Sequence, residues 1–530
     1  MIVKGAADGP VNGAVNGSTA NGGQASRREI LLVLPALMLA MVLAMLDQLI
    51  VGTALPRIVG DLGGVAHLSW VVTAYVLAAT ITTPLYGKLG DLYGRKTFLI
   101  AAIVIFLVGS ILAGQSHSMA ELISFRAIQG LGAGGLMVGV IATIGDLVPP
   151  RERGQYMGYM MAVMMLAMIA GPLVGGTITD NFSWRWIFYI NVPVGGAALI
   201  YLAIVMHTPR KRISHKIDYL GAALLAVAAT ALVLLASWGG TQYRWSSPQI
   251  TWLAVLGVLA TAAFIWVETR AIEPILPLRL FRNPNFSIVS VMIFLTGFAM
   301  FGAITFLPLY QQTVQGASAT VSGLLLLPMM AGAMVTSLVA GQVMTRSGRY
   351  KAFPIIGGAA MAAGMYLLSM LGVGTSRVTS GIYMAVLGIG MGFLMQITTT
   401  IAQNSVEPGD MGVASSSRTF FQQIGGSFGV SLFGAIFASQ LQEALRTRAP
   451  GMHLKTSGGQ FDPTVITHLP AVVRDAVFFA TSHAVHYVFL WAVPFSAIVF
   501  VIGWFIREVP LRGRAPEATP EQTRAPELTA

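Results

Sequence analysis

Two ionisable side chains stand where a chain this apolar has least reason to hold them. Asp47 interrupts "AMLDQLIVGTALP", residues 44 to 56, and Arg126 interrupts the apolar stretch from 119 to 143. A carboxylate at the centre of a membrane-spanning helix costs about 2.5 to 3.5 kcal/mol on insertion scales, so its presence asks for a function. Burial raises a carboxyl pKa and a nearby guanidinium lowers it. A site whose arginine contact changes between two conformations can therefore load and release a proton. That is the minimum machinery for proton coupling, and one charge crossing the membrane gains about 2.3 kcal/mol per 100 mV. A fixed structural ion pair is the alternative use of the same groups.

The elements around these residues must bring them together. At helical spacing Asp47 shares a face with Ala40, Ala44, Val51 and Ala54, small residues suited to a neighbouring helix or a cavity. Gln129 and Gly130 follow Arg126 at three and four residues. Counting about 1.5 Å per residue from the outer helix ends near Pro56 and Met119 puts both ions roughly 10 to 14 Å deep. The expectation is that they meet, with Asp47 as proton carrier and Arg126 as its partner; no other acid falls clearly mid-span.

The composition supplies the medium. A mean hydropathy of +0.72 over 530 residues, 55% hydrophobic and 10% charged, is that of an all-α polytopic membrane protein. The 59 glycines follow no three-residue period and fit close helix packing in lipid. The net charge of +11 gathers in short clusters between apolar runs, which reads as membrane orientation and not as nucleic-acid binding. The absence of cysteine excludes disulfides, thiolate metal sites and a cysteine nucleophile. No phosphate loop or catalytic triad is visible, so an enzyme is not expected, nor a cofactor beyond a proton gradient.

Apolar runs of about 20 residues fall near 30 to 55, 68 to 87, 97 to 114, 119 to 143, 155 to 178 and 185 to 206, a group of six. After "PRKRISHK" come 218 to 238 and 249 to 268, then six more near 284 to 311, 320 to 343, 353 to 371, 378 to 401, 412 to 440 and 484 to 506. Cations such as Lys88, Arg95, Arg151, Arg212, Arg282 and Arg349 follow the even-numbered spans, which predicts that both termini are cytoplasmic. The predicted organisation is a disordered tail (1–28), a six-helix bundle (29–210), a two-helix insertion (211–282), a second bundle (283–507) and a disordered tail (508–530). A long outer loop, 441–483, carries the amphipathic piece "LPAVVRDAVFFA" and is a possible contact for an envelope partner, although an ordinary surface loop is the simpler reading.

One loop occurs twice. "GKLGDLYGRKT", 87 to 97, and "GQVMTRSGRYK", 341 to 351, align Gly87 with Gly341, Gly94 with Gly348 and Arg95 with Arg349. Each follows the second helix of a six-helix group, and repeated halves are a mark of transporters. A tight turn, an acid beside a helix end and an arginine within reach of another helix's carboxylate could latch one conformation. Asp91, Arg95, Asp146 and Arg153 are the candidates for this cytoplasmic gate, together with Gly87 and Gly94.

"GKLGDLYGRKT" resembles the signature loop of the major facilitator superfamily. "LDQLIVGTALP", "RAIQGLGAGG" (126 to 135), "GPLVGG" (171 to 176), "WRWIFYINVPVG" (184 to 195) and "FLPLYQQTVQGASATVSGLLLLP" (306 to 328) are similar to its fourteen-helix drug:proton antiporter branch. The resemblance implies two six-helix bundles plus two inserted helices and alternating access. It also implies multidrug efflux of amphiphilic compounds, antibiotics among them, across the cytoplasmic membrane of a bacterium. It marks Gly171, Pro172, Gly175 and Gly176 as the antiporter motif, whose bare physical reading is a kinked packing face. The first-span motif departs from the branch at Leu49 and Gly52, and the second loop has Thr345 where the first has Asp91.

Tyr75, Gln129, Tyr310, Gln311, Gln396, Phe421 and Gln422 are the polar and aromatic candidates for lining a substrate cavity. Arg418 reads as an interface anchor or a contact to the inner loops. His483 and His486 lack a third ligand and read as a boundary pair, so no metal is expected. Partners are then small amphiphiles, protons and membrane lipids. A lipid or envelope-precursor exporter on the same fold, symport uptake, and a non-transporting receptor or scaffold remain alternatives.

Overall fold

The structure, a computed structural model, describes residues 27–62, 68–149, 152–206, 218–239, 243–271, 273–448 and 470–510. Of the expected tails (1–28 and 508–530), residues 1–26 and 511–530 lie outside them, as do 449–469 of the expected outer loop and the basic break "PRKRISHK". Among the described residues the chain is helical, with a single isolated bridge between Gly239 and Tyr243.

The first bundle comprises α1 (Arg27–Leu62), α2 (Leu68–Tyr93), α3 (Arg95–Gly114), α4 (Met119–Leu147), α5 (Arg153–Asn181) and a span broken into α6 (Trp186–Tyr189) and α7 (Asn191–Val205). The insertion is α8 (Tyr219–Trp238) and α9 (Pro248–Glu268). The second bundle comprises α10 (Pro284–Thr313), a span broken into α11 (Ala319–Leu325) and α12 (Leu327–Ser347), then α13 (Ala352–Ser369), α14 (Arg377–Asn404), α15 (Met411–Arg448) and α16 (Ala471–Gly503). Among the described residues thirteen spans are long and apolar enough to cross a membrane. The 29-residue α5, packed between α1 and α12, brings the long helices to fourteen.

Local chemistry starts many of these helices. Ser118, Asp218, Ser247, Asn283, Ser318 and Ser376 each accept a backbone N–H of the first turn of the helix that follows. Two connections differ from the sequence expectation. Helix α2 runs on to Tyr93 and α3 begins at Arg95, so the repeated loop shrinks to Gly94, whose φ of 99° an L side chain rarely adopts. Helices α15 and α16 reach to Arg448 and from Ala471, so the connection is far shorter than 441–483. "AVVRDAVFFA" is the first part of the last helix. Continuous helix keeps backbone groups satisfied where no water is available, which favours extension over loop.

Apolar clusters fill each bundle, around Leu37, Phe106 and Leu136 in the first and Phe286, Met361, Leu387 and Phe489 in the second. Helices α5 and α12, α2 and α15, and α4 and α15 meet across the bundles, and α8 packs on α2 and α15. Trp252, Val258 and Trp266 on α9 and Val108 on α3 point outward, as lipid-facing residues do. In lipid there is little hydrophobic drive between helices, so close approach matters more. Gly132 of α4 illustrates it: a Cβ there would lie 2.5 Å from both the Ala102 carbonyl and the Phe106 amide of α3.

A Gly132→Val substitution is therefore expected to lower thermal stability, an overpacking cost of about 1–3 kcal/mol, because backbone cannot step aside. Gly196→Ala in α7, where a Cβ meets nothing within 4 Å, should leave stability equal or slightly higher. Melting curves of the purified proteins decide it, and equal melting of both variants would remove the packing argument.

Candidate functional site

Helix α1 presents Asp47 and α4 presents Arg126 to each other in the middle of the first bundle, both essentially inaccessible. Arg126 Nη1 donates to Asp47 Oδ2 at 2.6 Å and to Gln129 Oε1 at 2.7 Å, while its Nε reaches the Val71 carbonyl at 3.3 Å. Asp47 Oδ1 accepts from Gln129 Nε2 at 2.7 Å and from Asn191 Nδ2 at 2.8 Å. Ser110 on α3 closes the network, accepting from Gln129 and Asn191 and donating to the Phe188 carbonyl. Each carboxylate oxygen is thus satisfied, the condition under which a buried charge survives. Asn191 and Ser110 were not singled out in the sequence. Asn191 could have been, as the one amide in "WRWIFYINVPVG"; a lone serine in apolar α3 carries no such signal.

The Tyr75 ring stacks on this guanidinium, with Arg126 Cζ 4.1 Å from its centroid. Its other side lines a cavity of about 530 Å³ between the bundles, a volume suited to a small organic molecule. Of the seven lining candidates, Tyr75, Gln396 and Gln422 line this cavity. The other four do not. Gln129 is spent on Asp47, Tyr310 donates to the Gly372 carbonyl at 2.8 Å, Gln311 reaches Met384 Sδ, and Phe421 packs on Phe281 and Phe420. Arg418, expected at an inner interface, instead faces the cavity from α15.

A second cluster gathers at the end of the molecule that carries Lys88 and Arg95, the basic end. Arg95 Nε donates to Asp146 Oδ2 at 2.7 Å, Nη1 to the Gly87 carbonyl at 3.2 Å, and Nη2 to Asp91. Asp91 accepts the Gly412 and Val413 amides, each at 2.9 Å, at the N-terminus of α15. A carboxylate at this position satisfies orphan N–H groups and complements the helix dipole, so α2 of one bundle caps a helix of the other. Arg153 reaches α14 through Gln403 Oε1 at 2.8 Å and holds the Val148 and Gly145 carbonyls. It joins the cluster through the carbonyl of Gly145, the residue before Asp146. Lys88 pairs with Glu273 at 3.0 Å, and Arg279 with Asp410 at 2.7 Å. Burial pushes the Asp410 carboxyl above the usual range, opposed by Arg279. Gly412, Gln403 and Glu273 escaped the sequence reading, because no local pattern says which distant helix end a charge will meet.

The repeated loop of the second bundle does different work. Gly348 takes a positive φ of 69°, Arg346 and Arg349 are exposed, and Tyr350 is tied to the segment after α16, its N–H donating to Glu508 Oε1 and its hydroxyl accepting from the Val509 amide. The "GPLVGG" segment runs through continuous α5, where a Cβ on Gly171 would sit 2.6 Å from Leu49 Cβ of α1. Gly175 is buried, Gly176 is open on its Cβ side, and Pro172 lies within the helix. His483 stacks on Phe479, and His486 Nδ1 lies 2.5 Å from the Ser369 carbonyl.

Two helical bundles around a central cavity, with ions buried beside it, define a membrane transport fold. The profile of the Major Facilitator Superfamily matches residues 37–430, and the chain belongs to that superfamily. It is 41% identical over 485 residues to an uncharacterized MFS-type transporter of Mycobacterium tuberculosis, covering 92% of this chain and 70% of the relative. It is 36% identical over 533 residues to the multidrug transporter protein MdtP of Bacillus subtilis, covering 95% and 97%. The crystal structure of the human organic anion transporter MFSD10 aligns with a TM-score of 0.58 at 14% identity, covering 89% of this chain and 100% of that one, a likeness of fold alone.

If the central pair is coupled as drawn, Arg126→Leu alone strands a buried carboxylate and should cost about 3–5 kcal/mol, whereas Asp47→Leu combined with Arg126→Leu should recover part of that loss. Thermal unfolding of the two single variants and the double variant reads the coupling; a strictly additive double variant would mean the two groups do not interact.

Proposed function

We propose that the protein is a proton-driven antiporter that exports amphiphilic organic compounds across the cytoplasmic membrane by alternating access. The observation that carries this reading is the inaccessible Asp47 carboxylate, bound by Arg126 and parted from the central cavity by the Tyr75 ring. Movement of Tyr75 or of α1 against α4 would loosen the arginine contact and open the carboxylate to the cavity, so that proton exchange at Asp47 and cargo occupancy of the cavity are tied to one conformational change. A proton gradient is then the energy source, with no cofactor. The names of relatives such as MdtP support multidrug cargo, and "GPLVGG" supports the antiport direction through its resemblance.

On this reading the basic end is cytoplasmic, with both termini there and a bacterial membrane as the setting. Among the described residues, the hydrogen bonds that join the two bundles lie at that end: Asp91 to Gly412 and Val413, and Arg153 to Gln403. The conformation is then closed to the cytoplasm, and Asp91, Arg95, Asp146 and Arg153 form the gate that holds it.

In inverted vesicles, addition of an amphiphilic substrate should release protons, and Asp47→Asn should cut that release about tenfold or more while the protein still inserts. Equal proton release by wild type and variant would make Asp47 structural. The gate has its own check, helped by the absence of native cysteine. Ser416→Cys places a thiol in the buried seam beside Gly87. Adding Asp91→Asn should raise its reaction with an impermeant maleimide applied from the cytoplasmic side by about tenfold; unchanged labelling would dismiss the gate.

A further inference from the structure

Most polar side chains of the cavity wall stand on the second bundle, and several of their polar atoms are left without partners. Toward the first bundle it is lined by Met41, Met45, Met137, Met160 and Met164, long unbranched side chains that adapt to varied apolar shapes. Toward the second bundle stand Gln396, Arg418, Gln423 and Ser431. Arg418 is only 7% exposed and Gln396 only 2%. Among the described residues Arg418 Nε, both side-chain polar atoms of Gln396, Gln423 Oε1 and Ser431 Oγ have no hydrogen-bond partner. Among the described residues that line the cavity, Arg418 is also the one charged side chain, and no carboxylate lines it.

A guanidinium keeps its charge at any physiological pH, so it cannot relieve burial by neutralising. Helix packing offers many ways to avoid such a group, and Arg126 and Arg153 in the same protein are each engaged by side-chain or carbonyl oxygens. Water filling an empty cavity can solvate Arg418, but a bound amphiphile expels that water. The charge must then be met by the cargo itself.

We propose that the cavity selects amphiphiles with an anionic head group, a carboxylate, sulfonate or phosphate, held by Arg418 with Gln396 donating alongside, and with the apolar body against the methionine wall. This rests on the transport reading only in taking the cavity as the cargo site. A guanidinium offers a planar fork of donors matched to such oxyanions, and a cationic head placed there would face an uncompensated like charge. Asp47 would play no part in holding the head group, because Tyr75 and Arg126 stand between it and the cavity.

The test is binding of two dansyl-labelled probes with the same undecyl chain, one ending in carboxylate and one in trimethylammonium, to the full-length protein in phosphatidylcholine nanodiscs. No gradient is involved, so the result is independent of whether Asp47 couples protons. Wild type is expected to bind the carboxylate about tenfold more tightly than the ammonium. Arg418→Gln should abolish that preference, and Arg418→Lys should keep part of it. Tighter or equal binding of the ammonium by wild type would overturn the proposal without any variant. A folded Arg418→Gln that binds the carboxylate as wild type does would also overturn it. Repeating the titration in phosphatidylglycerol nanodiscs separates the sources of the anion. Displacement of the probe that depends on Arg418 assigns the head group to a lipid, and undiminished binding assigns it to a free amphiphile; either supports recognition of the anion.

Discussion

A carboxylate and a guanidinium held within hydrocarbon have nothing to rely on but each other and the polar groups brought to them. Asp47 and Arg126 meet at 2.6 Å only because α1 and α4 pack closely and because α3 and the broken sixth span bring Ser110 and Asn191 into one network with Gln129 of α4. The break at Ile190 places Asn191 at the start of α7, where its amide reaches the carboxylate. Much of the first bundle can be read as the support this pair requires: small residues on the Asp47 face of α1, glycines along α4, and aromatic rings from Tyr75 and Phe188 over the guanidinium. Removing Gln129 or Asn191 would leave a polar group in a medium that cannot solvate it.

The same constraint gives the bundle interface its character. At the basic end, water and charged groups are available, and there the two halves are joined by hydrogen bonds from backbone amides and side chains. Such contacts can be broken and remade at modest cost because solvent can replace them. Deeper in, the halves pack along α5 and α12 and along α2 and α15 on either side of a cavity, so the packed interface is interrupted in its middle. Rigid bundles, an exchangeable seam at one end and a void in the middle are the physical ingredients that rocking motion needs.

The cavity adds a division of labour between the halves. The first bundle satisfies its ions internally and shows the cavity a largely apolar, methionine-rich face. The second bundle leaves Arg418 and Gln396 unsatisfied and turned inward. In the proposed cycle, one half would handle the proton and the other the cargo head group, with Tyr75 at the boundary between them.

The sequence by itself determined the membrane setting, the helix inventory and the superfamily. It also determined which residues are chemically unusual enough to matter, because hydropathy over about 20 residues, short glycine-bearing motifs and isolated charges in apolar runs are all local signals. It also placed Asp47 and Arg126 at matching depth, since helical rise converts residue count directly into distance. Only the tertiary structure decided what each polar group faces. Four of seven cavity candidates turned out to be engaged elsewhere, Arg418 turned from an inner anchor into a cavity residue, and a loop shrank to Gly94 between two helices. Which side of a helix meets lipid, neighbour or void depends on how fourteen long helices share space. For spans apolar on every side, such as α5 and α9, no periodicity in the chain records that choice.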